Sequence, residues 1–223
     1  MARVSLVIPA YNEEMRIVST LQAVLALDAF EQILVVNDGS TDHTSYQAKQ
    51  LGVEVLEVDK NRGKGGAMNY SLPYIKGDVV VFLDADLGDS AAEVQKVMAP
   101  VLAGHADLAI AAFPPAKKKG GFGLVKKTAA RAIKKAGDMQ VNAPLSGQRV
   151  MTRAVLEAVT PFNEAYGVEL GMTIRALRQG FRVVEVPTNM THNETGRDLS
   201  GFIHRGKQFV DVLKVVWLEK RRK

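Results

Sequence analysis

Five apolar residues occupy positions 79–83 without interruption and stop at two carboxylates, Asp84 and Asp86. A continuous run of that length, mostly valine and preceded by Gly77 and Asp78, predicts a strand buried on both faces. Strand side chains alternate, so Asp84 and Asp86 project together from its C-terminal end. Similar apolar runs at 4–8, 32–36 and 106–112 predict further strands, and a shorter one at 149–151 predicts another. Residues 53–58 alternate, which places that strand nearer the sheet margin, and residues 181–187 form the last strand.

Helical spacing fills the intervals. Ile17, Leu21, Val24 and Leu25 make a stripe to about residue 27, with Asn12 as the expected N-cap and Glu13 and Glu14 in the first turn. Ser40 or Thr41 is positioned to cap a helix reaching Leu51, and Gly63 to Gly66 open the next one. Residues 90–102, 124–136 and 152–159 read as helices. Another starts at Tyr166, with Leu170, Ile174 and Leu177 as its buried face. Pro114, Pro115 and three glycines mark 113–123 as a loop, and Phe202, Phe209, Leu213, Val216 and Trp217 stripe a terminal helix. Strand and helix alternate through the first half, with connections too long for hairpins. The fold class is therefore α/β, a mainly parallel Rossmann-like sheet flanked by helices, with right-handed crossovers and a C-terminal amphipathic helix.

With 223 residues the chain makes one sizeable domain, and 47% hydrophobic and 24% charged residues are ordinary for a globular protein. There is no cysteine, so disulfides and thiolate metal sites are excluded and a cytoplasmic setting fits. No apolar run is long enough to span a bilayer. The net charge of +5 is unevenly spread. Positions 117–135 hold Lys117, Lys118, Lys119, Lys126, Lys127, Arg131, Lys134 and Lys135 and no acid, and a second basic cluster occupies 220–223. A solvated face explains such patches, and so does an anionic ligand, nucleic acid or a membrane surface.

The candidate chemistry lies at predicted strand ends. In an open α/β sheet that edge is where ligands bind, and two converging carboxylates suit a hard divalent cation such as Mg²⁺ or Mn²⁺. The competing reading is an Asp-rich turn before a helix capped by Ser90 and Glu93. Gly63, Gly65 and Gly66 allow backbone to approach a ligand closely, and Lys64 supplies a cation. The spacing is neither that of a P-loop nor of a dinucleotide fingerprint, and a tight turn with an exposed lysine is the alternative. Glu169 in the first turn of its helix is explained equally by stabilisation at unpaired amides.

Four motifs occur in order: residues 9–14 (Pro-Ala-Tyr-Asn-Glu-Glu), 37–42 (Asn-Asp-Gly-Ser-Thr-Asp), 61–65 (Asn-Arg-Gly-Lys-Gly) and 84–86 (Asp-Ala-Asp). The set resembles family 2 nucleotide-sugar glycosyltransferases of the GT-A fold. Downstream, Ala143-Pro144-Leu145-Ser146-Gly147, Pro161-Phe162, residues 166–171 and His192-Asn193 resemble the glucosyl-3-phosphoglycerate synthase group. The resemblance covers roughly residues 3–205. It implies one domain over 1–223, with a nucleotide-sugar half (1–112), an acceptor-side half (113–200) and a C-terminal helix (201–223). Pro9, Ala10, Tyr11 and Glu13 would then line the nucleotide pocket, with Asp38 beside the uracil and Lys64 beside the base or diphosphate. Asp84 would face the ribose, with Ala85 beside it. Asp86 would hold the divalent metal with His192. Glu169 would lie near the transferred sugar and acceptor, and Leu145, Ser146, Gly147 and Asn193 on the acceptor side.

The implied reaction moves a sugar, glucose by the same resemblance, from a UDP-sugar to an anionic acceptor, with no nucleic acid involved. Phosphoglycerate-binding members carry Arg and Thr just after a Gly-Gly pair, whereas here Gly120-Gly121 is followed by Phe122-Gly123-Leu124. Asn37-Asp38-Gly39 is closer to ordinary family 2 enzymes; these include dolichyl- and polyprenyl-phosphate sugar transferases, which often show Asp-Ala-Asp-Leu as at 84–87 here, and that keeps peripheral membrane contact, at the inner face, among the readings. A homodimer, and either stereochemical outcome, also stay open. A nucleotidyltransferase would carry a Gly-rich basic loop after its first strand, where this chain has the acidic residues 10–14. A catalytically silent binding module would have no need of Asp84, Asp86, Glu169 and His192 together.

Overall fold

The computed structural model describes residues 2–114, 123–163, 167–191 and 213–219. Seven strands form one sheet: β1 Val4–Ala10, β2 Gln32–Asn37, β3 Glu54–Glu57, β4 Val79–Phe82, β5 Leu108–Ala112, β6 Arg149–Thr152 and β7 Val183–Pro187. Their order is β3-β2-β1-β4-β6-β5-β7. The sheet is mainly parallel, as the connection lengths predict, and β3 lies at the margin. One strand departs from the pattern: β6 runs antiparallel to both β4 and β5. Its first residue, Arg149, therefore pairs with Phe82, the last residue of β4. The loop entering β6 is thereby delivered to the edge where β4 ends.

Both faces of the sheet are covered, which is why its central strands read as continuous apolar runs. On one face Leu6, Ile8, Val35, Val79, Val81 and Val150 pack against helices α1 (Ile17–Leu25) and, further on, α4 (Val94–Leu102). The intervening residues Val7, Leu34, Val36, Val80, Phe82 and Met151 face the other side. There they meet α3 (Gly63–Ser71), α6 (Arg153–Val159) and α7 (Val168–Arg178). Helix α2 (Thr44–Gln50) precedes β3. Helix α5 (Gly123–Gly137) sets Val125, Ala129 and Ile133 against Leu170 and Ile174 of α7, together with Val215 of the helical segment 213–219. That segment is tied to α7 through Glu219, a buried carboxylate that accepts from Arg175 Nε at 2.9 Å. No helix among the described residues is long and apolar enough to cross a membrane.

Local expectations fail in three places. Asn12 does not cap α1, which starts at Ile17 without a side-chain cap. It adopts φ 55° instead, and its side-chain oxygen accepts from Thr41 N at 2.9 Å. Neither Ser40 nor Thr41 caps α2. Ser40 Oγ accepts from Asn12 N, while Asp42 Oδ1 accepts from Thr44 N. The Ser90–Glu93 capping box is not formed. Residues Gly88–Glu93 make a 3₁₀ turn, Ser90 Oγ donates to Leu87 O and accepts from Thr191 N, and Glu93 accepts from Asn189 N. In each case the side chain expected to cap is engaged by a residue distant in sequence.

Candidate active site at the carboxyl edge of the sheet

The loops after β1 and β2 are knitted into one floor. Asp38 N donates to Ala10 O at 2.9 Å, Glu13 N to Thr44 Oγ1 at 2.8 Å, and Glu14 N to Asp42 Oδ2 at 3.1 Å. Asp38 itself is buried, and its Oδ1 accepts from Arg62 N at 2.8 Å, which draws the start of α3 onto the floor. Gly39, at φ 72°, permits this approach, because a Cβ there would lie 2.8 Å from Asn61 N. Pro9 and Ala10 close β1, and beyond them Tyr11 stands 47% exposed, an aromatic face presented to solvent.

Strand β4 ends at Phe82, so the two aspartates lie just past it rather than within it. The alternation persists nonetheless. Leu83, Ala85 and Leu87 are buried, and Asp84 and Asp86 between them are only partly so. The Ala85 carbonyl is fixed from the core side by Thr20 Oγ1 at 2.8 Å. Asp84 and Asp86 keep part of their surface exposed just beyond the strand.

Lys64, in the first turn of α3, joins the two halves of the chain. Its Nζ lies 2.6 Å from Asp84 Oδ1 and 2.9 Å from Glu169 Oε1. Asp84 Oδ2 also accepts from Gln148 Nε2 at 2.7 Å. Burial works against the Lys64 ammonium, but Asp84 and Glu169 outweigh it and raise its pKa far above the ordinary lysine value. Lys64 is thus a permanent cation between two carboxylates. Glu169 is buried in the first turn of α7, which follows Gly167 at φ 108°. Across the floor, the Glu13 carboxyl is held above its usual value, first by burial and then by the charge of Asp86. At the Glu13–Asp86 end Arg16 Nη1 lies 3.2 Å from Glu13 Oε2, and at the other end Lys64 bridges Asp84 and Glu169.

Among the residues singled out from sequence, Lys64, Asp84, Gly147 and Glu169 meet directly, with Asp86 and Glu13 beside them and Asp38 in the adjoining floor. Ser146 is buried, with its hydroxyl 3.3 Å from Gln148 Oε1. Leu145 packs into the apolar cluster of α5 and α7 rather than toward the carboxylates. His192 and Asn193 lie outside the described residues. Sequence reading missed Gln148 and Arg149; a glutamine and an arginine leading directly into a buried strand were the available signal.

At Gly147 a side chain would have to push the Lys64 and Asp84 head groups aside. A Cβ there would collide with Lys64 Nζ and lie 2.9 and 3.0 Å from the two Asp84 carboxylate oxygens. Gly147→Ala is expected to separate Lys64 from Asp84 and to destabilise the fold by about 1–3 kcal/mol, the usual cost of overpacking. Urea denaturation measures this, and an unchanged midpoint would mean that the cluster is loose.

The family comparison agrees with the geometry. Residues 5–158 match the family model for glycosyl transferase family 2. The chain belongs to that family. Among its relatives, glucosyl-3-phosphoglycerate synthase of Mycolicibacterium smegmatis is 32% identical over 191 residues, covering 77% of this chain and 63% of that protein. This family 2 chain thus spans less than two thirds of the length of that synthase. An uncharacterized protein of Methanocaldococcus jannaschii is 32% identical over 203 residues, covering 84% of this chain and 81% of the other. In three dimensions the chain resembles the glucosyl-3-phosphoglycerate synthase of Mycobacterium tuberculosis crystallised with Mn²⁺, uridine diphosphate and phosphoglyceric acid. The TM-score is 0.81 at 26% identity, over 98% of this chain and 78% of that one. The fold is the mixed α/β architecture of such GT-A neighbours.

Proposed function

We propose that this family 2 chain transfers a sugar from a UDP-sugar, with a divalent cation, to an acceptor bearing phosphate or carboxylate. The observation that carries the reading is Lys64 held between Asp84 and Glu169 at the carboxyl edge of the sheet. The solved synthase with Mn²⁺, uridine diphosphate and phosphoglyceric acid supports it, as does the same protein with UDP-glucose, which makes glucose the favoured sugar.

In this reading Tyr11 stacks on the base, Pro9, Ala10 and Glu13 complete the nucleotide pocket, and Asp38 borders the uracil. Asp84 and Ala85 lie along the ribose. The residues fit a divalent cation in the chemistry of their donors. Asp86 offers a hard oxygen ligand, and its charge adds to burial in holding the neighbouring Glu13 carboxyl above its usual value. Among the described residues no group of three or more acids or histidines could hold a metal. Asp86 would hold the ion together with His192. When bound, the cation stabilises negative charge on the departing diphosphate.

Lys64 adds to the same electrostatic effect, and its permanent charge is what a diphosphate requires. A diphosphate competes with Asp84 and Glu169 for that ammonium. Binding the donor thus loosens Glu169 toward the sugar and acceptor, where it acts as a base or as a positioning group. Gly147 lets the loop backbone lie against Lys64 and Asp84 with no side chain between them, and Ser146 and Asn193 complete the acceptor side.

A polyprenyl-phosphate acceptor at a membrane surface is the second reading. It is favoured by the outer face of α5, where Lys126, Lys127, Arg131, Lys134 and Lys135 are exposed with no acid on the helix, and by exposed Leu213 and Trp217 nearby. A thermal-shift panel tests the main reading, because a ligand of the native state raises apparent stability. UDP-sugars with Mn²⁺ should raise Tm, and more than the same ligands with chelator. No shift with any nucleotide sugar would overturn it.

A further inference from the structure

We propose that Arg149 is a positioning residue, whose guanidinium holds the Gly147–Gln148 loop against the turn of α7 that carries Glu169. Arg149 is the first residue of β6 and is fully buried. Its Nε donates to Ser146 O at 2.9 Å, and its first terminal nitrogen donates to Thr173 Oγ1 at 2.8 Å. Thr173 Oγ1 in turn donates to Glu169 O at 2.9 Å. The second terminal nitrogen is buried with no hydrogen-bond partner among the described residues.

These bonds close a ring. On one side Arg149 fixes the Ser146 carbonyl; Gly147 follows against Lys64 and Asp84, and Gln148 donates to Asp84 at 2.7 Å. On the other side it fixes α7 through Thr173, and the Glu169 carboxylate meets Lys64 at 2.9 Å. Lys64 is the point opposite Arg149 where the two arms meet. Between them the arms span the acceptor-side loop and the carboxylate assigned to the sugar, segments about twenty residues apart that no regular pairing joins.

A buried guanidinium is a poor way to stabilise a strand. Burial lowers the Arg149 pKa to about 10, against the charges of Glu169 and Glu185, and no carboxylate lies in ion-pair contact with it among the described residues. A buried charge without an ion-pair partner costs desolvation free energy that hydrogen bonds alone only partly offset. What an apolar side chain cannot supply is a planar fork donating to a loop and a helix at once. Networks that lock the supports of a site hold its reacting groups in register, and a displacement of about 1 Å is enough to slow a reaction roughly 100-fold.

The inference rests on the proposed transfer for its kinetic consequence but not for its structural one, so the test has two arms. Full-length Arg149→Met and Arg149→Lys are compared with wild type by amide hydrogen exchange and by UDP release from UDP-glucose with Mn²⁺. In Arg149→Met, residues 145–148 and 169–173 should lose protection together while β1 and β2 keep theirs. Its kcat should fall about 10- to 100-fold with KM within about threefold, since orientation rather than donor binding is lost. In a Glu169→Gln background, which retains the Glu169 carbonyl, the same substitution should cost little more, because the two act as a unit. Arg149→Lys, keeping the charge but not the fork, should lie between. Wild-type protection and kcat in Arg149→Met would overturn the proposal, as would fully additive losses in the double variant. If Arg149→Met does not fold, wild-type exchange and kcat in Arg149→Lys overturn it, and paired loss of protection there supports it. Failure of wild type to bind any nucleotide sugar refutes the transfer reading alone and leaves the exchange arm to judge the ring.

Discussion

Asp86→Ala is expected to lower Mn²⁺-dependent UDP affinity by about 100-fold or more, because a metal clamp on a diphosphate is worth several kcal/mol and each 1.4 kcal/mol is tenfold. The fold should survive. Asp86 is only partly buried, between Ala85 and Leu87, whose side chains are in the core. Truncating it makes no core cavity, and it removes a negative charge that now weighs on Glu13. The expected change in stability is therefore modest, about 1 kcal/mol, the centre of the range for single substitutions. Calorimetric titration with UDP, with Mn²⁺ and with chelator, reads the affinity, and a thermal melt reads the fold. UDP affinity that is equal in both media for wild type, or undiminished in the variant, would remove Asp86 from the metal's ligands.

Glu169→Gln is expected to act on the other half of the reaction. The substitution keeps shape and removes charge. It should reduce kcat by about 100- to 10,000-fold, the range for loss of a positioned acid–base group. UDP affinity should hold or rise slightly. Lys64 now divides its charge between Asp84 and Glu169, and with one carboxylate neutralised it is freer to meet a diphosphate. Steady-state kinetics beside a UDP titration separate the two quantities. Lower UDP affinity with unchanged kcat would place Glu169 on the nucleotide instead.

The Rossmann-like half was legible because each central strand is buried on both faces, which leaves an apolar run that little else produces. Residues 79–83 announced β4, and beyond its end at Phe82 Leu83, Ala85 and Leu87 are buried while Asp84 and Asp86 are only partly so. The direction of β6 was not legible. Four residues carry no signal of whether a strand runs with its neighbours or against them, and only the antiparallel choice sets Gln148 beside Asp84, 64 positions away. Arg149 was read simply as a strand residue, since arginine is seldom fully buried and nothing local reveals partners at Ser146 and Thr173. The caps expected at Asn12 and Ser90 failed for a related reason. Their side chains have local partners in principle, and in the folded chain they are taken by Thr41 and by Thr191.

The central claim is that this edge of the sheet activates a UDP-sugar with a metal. The most direct measurement is UDP formed from UDP-glucose by the full chain, with Mn²⁺ or with chelator, in the presence and absence of phosphoglycerate as a phosphate-bearing acceptor. The account predicts UDP release that requires the metal and quickens with the anionic acceptor. Release that proceeds equally in chelator, or no release under any of these conditions, would contradict it.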